Sequence, residues 1–265
     1  MVWELGVLKG FADAGIELSQ ADLLVGTSAG SIIGAQLASG RTAAELLAAQ
    51  LAPSGAGSQN QRTPEDNKFF EDTSRMWGPA ATDVAARVAL GRRTLETPHP
   101  ISEDTQKAIW KRRLGIDDWP ARALKVSAVD ISDGSIRLFD AGQGVPIEAA
   151  VAASTAQPGL QAPITIGDRR YMDGGVAGTH IDGALGYPIV VAITPFAGSL
   201  KTAQELELVR SKGSQVIDIV ADQDARAAMG PNLFDPSRIR PTADAGERQA
   251  AAAAAELRKL WKGSR

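Results

Sequence analysis

Apolar positions along the chain switch repeatedly between helical and strand-like spacing. Trp3, Val7, Leu8 and Phe11 form a helical stripe between Val2 and Ala14, and Gly15 breaks it, which predicts an opening helix. Leu23-Leu24-Val25 is a short apolar run of the buried-strand kind, and it ends at Gly26-Thr27-Ser28-Ala29-Gly30. Ile32, Ile33, Gln36 and Leu37 then resume helical spacing as far as Gly40. Thr42–Leu51, Asp83–Leu90, Glu103–Leu114, Pro146–Ser154, Thr202–Arg210 and the alanine-rich end from Asp244 to Trp261 read as further helices. Leu124–Ile131 and Ile136–Phe139 flank Asp133-Gly134, and Ile164–Ile166 and Arg169–Met172 flank Gly167-Asp168, two hairpin signals. Ile189–Thr194 and Val216–Val220 read as buried strands, and polar Pro53–Asn67 as a mobile surface loop. Strands alternate with helices throughout, so a single α/β domain over residues 1–265 is expected.

Composition narrows the chemistry. The chain carries 28 Lys and Arg against 31 Asp and Glu, a net charge of −3, without the concentrated basic stripe that nucleic acid requires. It contains no cysteine, which removes disulfides, thiolate metal ligands and a cysteine nucleophile together. Two histidines, His99 and His180, argue against a histidine-built metal site. No secretory leader is expected from Met1–Gly6, and the most apolar stretch, Ala184–Gly198, is interrupted by Pro188 and Pro195. The expectation is a cytoplasmic protein without metal or other cofactor.

Gly26-Thr27-Ser28-Ala29-Gly30 fits the G-x-S-x-G pattern, and its setting between strand and helix is what gives the pattern weight. Such a turn holds the serine hydroxyl above the sheet, and the glycines on either side let the chain pass closely. The helix that follows points its N-terminus at Ser28, so the Ala29 N–H and the helix dipole can stabilise an oxyanion.

A serine nucleophile needs a base. Ser28, Asp173 and His180 come in the chain order of an α/β-hydrolase triad. Against that order, only one helix and one strand precede Ser28, and His180 follows Asp173 closely for residues on separate loops. A loop or surface histidine is the plainer reading. Asp173, in Tyr171-Met172-Asp173-Gly174-Gly175 after a strand-like run, could instead take the Ser28 proton directly, with Gly174 and Gly175 shaping its turn.

The Gly-Thr-Ser-Ala-Gly block around Ser28 and the Asp-Gly-Gly block at Asp173 resemble the two catalytic blocks of the patatin-like phospholipases. Trp3–Gly10 resembles the helix after that family's oxyanion loop, Ala153–Gly159 with Ala162-Pro163 the segment upstream of its aspartate, and Gly230–Pro236 the tail of bacterial members. The resemblance implies a three-layer α/β sandwich with a central, mostly parallel sheet and helices on both faces. It implies Ser28 as nucleophile and Asp173 as its base, hydrolysing acyl esters of lipids through an acyl-serine. Gly26, Ala29, Gly30, Gly174 and Gly175 then support the turn and oxyanion, while Ser154 and Pro158 read as structural. The family's first strand and glycine-rich oxyanion loop have no counterpart before Val2, so the expectation is a domain whose family pattern starts upstream of Met1.

Two other functions are weighed: a catalytically impaired lipid-binding relative, and a Ser–His–Asp esterase using His180. Phe69-Phe70 and Trp77 read as core anchors or as a hydrophobic lip for acyl chains. Arg92-Arg93, Lys111-Arg112-Arg113 and the terminal cations around Trp261 read as solvated helix ends, with contact to a membrane surface as the alternative.

Overall fold

The computed structural model describes residues 1–52, 75–96, 99, 101–196, 200–232 and 235–261. The expected loop at Pro53–Asn67 and the Phe69-Phe70 pair lie outside the described residues.

Helix α1 (Val2–Asp13) ends before Gly15, whose φ of +78° an L side chain rarely adopts. Strand β1 (Leu24–Gly26) turns at Ser28 into α2 (Ala29–Ala38). Helix α3 (Ala43–Leu51) starts at a capping box, in which Thr42 Oγ1 accepts from Glu45 N–H and the Glu45 carboxylate accepts from Thr42 N–H. After helical residues 75–80 come α4 (Val84–Leu95), capped by Asp83, and α5 (Glu103–Leu114), capped by Ser102 and ended by left-handed Gly115. The chain continues through β2 (Leu124–Asp130), β3 (Ile136–Phe139), α6 (Ile147–Ser154), β4 (Ile164–Ile166) and β5 (Arg169–Asp173). Then follow β6 (Ile189–Thr194), α7 (Leu200–Ser211), β7 (Gln215–Val220), α8 (Gln223–Met229) and α9 (Ile239–Leu260).

The main sheet runs β1-β2-β5-β4, with β3 also paired to β2. It is mixed, where a mostly parallel sheet was expected. β1 and β2 are parallel, but β2/β3, β2/β5 and β4/β5 are antiparallel. The turns account for two of these pairs: Asp133-Gly134 and Gly167-Asp168 are too short to join β2/β3 and β4/β5 as anything but antiparallel neighbours. β6 and β7 form a separate parallel pair.

Alternation along β2 and β5 divides the core into two faces. Leu124, Val126, Ala128 and Tyr171 pack against α2, α5 and α6, where Phe139 meets Tyr171 edge-on at 5.1 Å. Val129, Ile131 and Met172 pack on the opposite face with Leu90 of α4 and with Ala80. Helices thus cover both faces, and the three-layer α/β arrangement stands. The β6/β7 pair packs through Ile217 and Ile219 against Trp3, Val7 and Phe11 of α1 and Ala250, Ala254 and Leu257 of α9.

The alanine-rich end forms the longer α9, and its small residues let it cross α1 at close range. A Cβ on Gly246 would press against the main chain at Trp3 O and lie 2.9 Å from Val7 N. Among the described residues no helix is long and apolar enough to cross a membrane.

Candidate active site

The two strands that open and close the main sheet pattern deliver the two expected reactive groups to one point. β1 and β5 both pair with β2, and in that register Gly26 lies opposite Val126 while Asp173 lies opposite Ala128. Ser28 Oγ donates a 2.7 Å hydrogen bond to Asp173 Oδ2 across a separation of 145 residues.

Ser28 has φ +51° and ψ −119°, a conformation few residues other than glycine adopt. The surroundings hold it there. Its N–H donates to Ser154 Oγ at 2.9 Å, and its carbonyl accepts from Ser31 N at 2.9 Å and Ser31 Oγ at 2.6 Å. Gly26 is required by close packing, since a Cβ there would sit 2.6 Å from both Gly30 O and Ser31 Cα. Gly30 departs from expectation: a Cβ there would meet nothing within 4 Å, because the helix turns this position outward. The Ala29 N–H, at the first turn of α2, makes no hydrogen bond among the described residues, and so is available as an oxyanion donor.

Asp173 is buried at the end of β5, where its N–H donates to Ala156 O at 3.0 Å. Its Oδ1 accepts from Gly175 N at 2.7 Å, leaving Oδ2 to face the serine. Burial pushes the carboxyl up to about 6, although the hydrogen bonds from Ser28 and Gly175 pull the other way. A carboxylate poised near neutrality suits a base that must both take and return a proton. Gly174 lets the turn pass over β2, because a Cβ there would press into Ser127 Oγ and lie 2.8 Å from Ser127 O. Ser127 Oγ donates to Thr27 Oγ1 at 2.8 Å, and Thr27 Oγ1 donates to Thr179 O at 3.1 Å, tying the elbow to the aspartate turn.

His180 is neither a surface histidine nor hydrogen-bonded to the dyad. It is buried, and its Nε2 donates to Gly174 O at 2.9 Å, since a carbonyl can only accept. His99 lies elsewhere, bonded to Thr94 O through Nε2. Trp77 is half-buried and approaches the dyad turn, its ring edge 3.9 Å from where a Gly175 Cβ would lie. Arg92, Arg93, Lys111, Arg112 and Arg113 are exposed in the last turns of α4 and α5, as expected of solvated helix ends.

Sequence reasoning named Ser154 as structural and gave it no partner. Its contact with the Ser28 N–H joins residues 126 apart, and no local pattern signals it. The Ser127–Thr27 link is hidden in the same way.

A family model described as Patatin-like phospholipase matches residues 1–185, which include Ser28, Asp173 and the whole main sheet. A search of curated proteins finds no match. The tail Gly230–Pro236 lies beyond the matched residues. The family match covers well over half of the chain, and the chain belongs to the patatin-like phospholipase family.

Proposed function

We propose that this patatin-like phospholipase family member hydrolyses acyl esters of lipids, with Ser28 as nucleophile and Asp173 as its general base. Membership points to hydrolysis of lipid esters in general; the 2.7 Å Ser28–Asp173 hydrogen bond is the observation that carries the dyad. Asp173 Oδ2 takes the Ser28 proton as Oγ attacks the ester carbonyl. The oxyanion that forms faces the Ala29 N–H and the start of α2. Collapse of the tetrahedral intermediate expels the alcohol, which leaves with the proton from Asp173, and the acyl group stays on Ser28. Asp173 then deprotonates a water molecule, which attacks the acyl-serine; collapse of the second tetrahedral intermediate releases the carboxylic acid as Asp173 returns that proton to Ser28 Oγ, restoring both groups. No imidazole is needed, because the base already touches the nucleophile.

A second reading, a lipid-binding relative with impaired catalysis, draws on the oxyanion hole: the elbow itself supplies one donor, Ala29 N–H. Loss of a single such donor costs about 100- to 1,000-fold in rate. Fluorophosphonate labelling and ester turnover separate the two. The proposal expects Ser28 to be labelled and a soluble chromogenic ester to be hydrolysed, with both lost in Ser28→Ala. Labelling without turnover favours the second reading. Full activity in Ser28→Ala overturns the dyad.

A further inference from the structure

Behind the aspartate turn lies a second group of ionisable side chains that the dyad does not use. His180 and Asp182 sit on the segment after Gly178, and Glu205 projects from α7 against them. Their ligand-type atoms, one from each residue, all lie within 4.8 Å of one another. We propose that His180, Asp182 and Glu205 bind a divalent transition-metal cation of the Zn2+ or Mn2+ type, bracing the turn that carries Asp173.

Clustered acids are common without any ligand, so the assignment rests on the atoms left without partners. Glu205 is 1% exposed. Its Oε2 accepts from Thr179 Oγ1 at 2.7 Å and from Ile181 N at 3.1 Å, while its Oε1 is buried with no hydrogen-bond partner among the described residues. A carboxylate oxygen left bare inside a protein is costly unless a cation or donor meets it. The histidine points to the same ligand. His180 is also 1% exposed, and with Nε2–H committed to Gly174 O, Nδ1 is the ring nitrogen left to offer a ligand. A ligating imidazole commonly donates its other N–H to a backbone carbonyl in just this manner. Asp182 is half-buried, and its side chain makes no hydrogen bond or ion pair among the described residues.

Charge and donor type agree on the class of ion. Two carboxylates balance a divalent cation, and a neutral imidazole with two carboxylate oxygens suits Zn2+ or Mn2+ better than an all-oxygen ion such as Mg2+. Three protein ligands leave a position for water. The competing cation is Lys201, whose stem passes over Gly178 next to Glu205 Oε1, yet it closes no ion pair with either carboxylate among the described residues. Through the His180–Gly174 hydrogen bond the ion would fix the residue that follows the catalytic base.

The test is calorimetric titration of the EDTA-treated, dialysed full chain with ZnCl2, repeated with MnCl2 and MgCl2, alongside metal analysis of the protein. One Zn2+ per chain is expected, with a rise in melting temperature and at least tenfold weaker Mg2+ binding. Asp182→Asn should weaken Zn2+ at least tenfold while leaving the metal-free melting temperature unchanged, because that carboxylate has no partner to lose. Glu205→Gln should act in the same direction, and Asp182→Asn keeps the test decisive if Glu205→Gln folds poorly. Absence of stoichiometric Zn2+ and Mn2+ binding, or Zn2+ binding that Asp182→Asn leaves intact, overturns the site.

Discussion

Neutralising the proposed base, Asp173→Asn, separates its chemistry from its place in the core. Burial raises the carboxyl from 3.8 to about 6, so the folded state holds its proton more tightly than the unfolded chain does. Well below 3.8 both states are protonated, and burial of the side chain carries no charge penalty. Between pH 4 and 6 the unfolded chain ionises first and stability falls; above 6 the full penalty is present. At 1.36 kcal/mol per unit, the shift amounts to about 3 kcal/mol. Asp173→Asn abolishes that dependence, so relative to wild type it should be about 2.4 kcal/mol more stable at pH 7 than at pH 4, where the unfolded carboxyl is already partly ionised. Urea unfolding at the two pH values reads this directly. Activity should move in the opposite direction. For wild type, kcat/KM on a soluble p-nitrophenyl ester should rise tenfold per pH unit up to an apparent pKa near 6 and then level off. Asp173→Asn should lower it by about 100- to 10,000-fold at pH 7, the range typical of lost general-base catalysis. A profile flat from pH 8 down to 5, or an Asn variant within tenfold of wild type, refutes the reasoning.

Three other perturbations test the frame around the dyad. Ser154→Ala leaves the Ser28 N–H without its acceptor; a stability loss of about 1 kcal/mol and a fall in kcat with KM unchanged are expected, measured by urea unfolding and steady-state kinetics. Gly246→Ala drives a methyl group into the main chain of α1, which should cost about 1–3 kcal/mol and lower the melting temperature measurably by differential scanning calorimetry. Arg169→Met strips the guanidinium that bonds the fully buried Asp130 at 2.8 Å and Asp133 at 2.6 Å; a lower urea midpoint is expected, since among the described residues Asp130 then keeps only Ser132 as a side-chain partner.

The element pattern was largely legible without coordinates. The helical stripe Trp3–Phe11, the strand and helix on either side of Ser28, and both hairpins around Asp133-Gly134 and Gly167-Asp168 appear where periodicity and turn residues placed them. These features are local, and backbone sterics and side-chain period act within a few residues. Ser28 and Asp173 were also readable, because each stands in a short glycine-flanked block with a defined setting.

What the sequence could not decide were relations between distant segments. It favoured Asp173 over His180 as the partner of Ser28, on chain spacing and family resemblance, but held nothing that brings either side chain to the serine. Pairing of β1 and β5 with β2 decides that, placing Asp173 Oδ2 on Ser28 Oγ and turning His180 onto Gly174 O. Burial is likewise a property of the assembled layers, and burial moves the Asp173 carboxyl toward neutral pH. Strand direction, the Ser154 contact and the Glu205 oxygen left without a partner have the same origin. The chain by itself determined which elements form and which residues are chemically equipped to react; tertiary packing decided which of them touch, because contact and desolvation arise only when segments far apart in sequence come together.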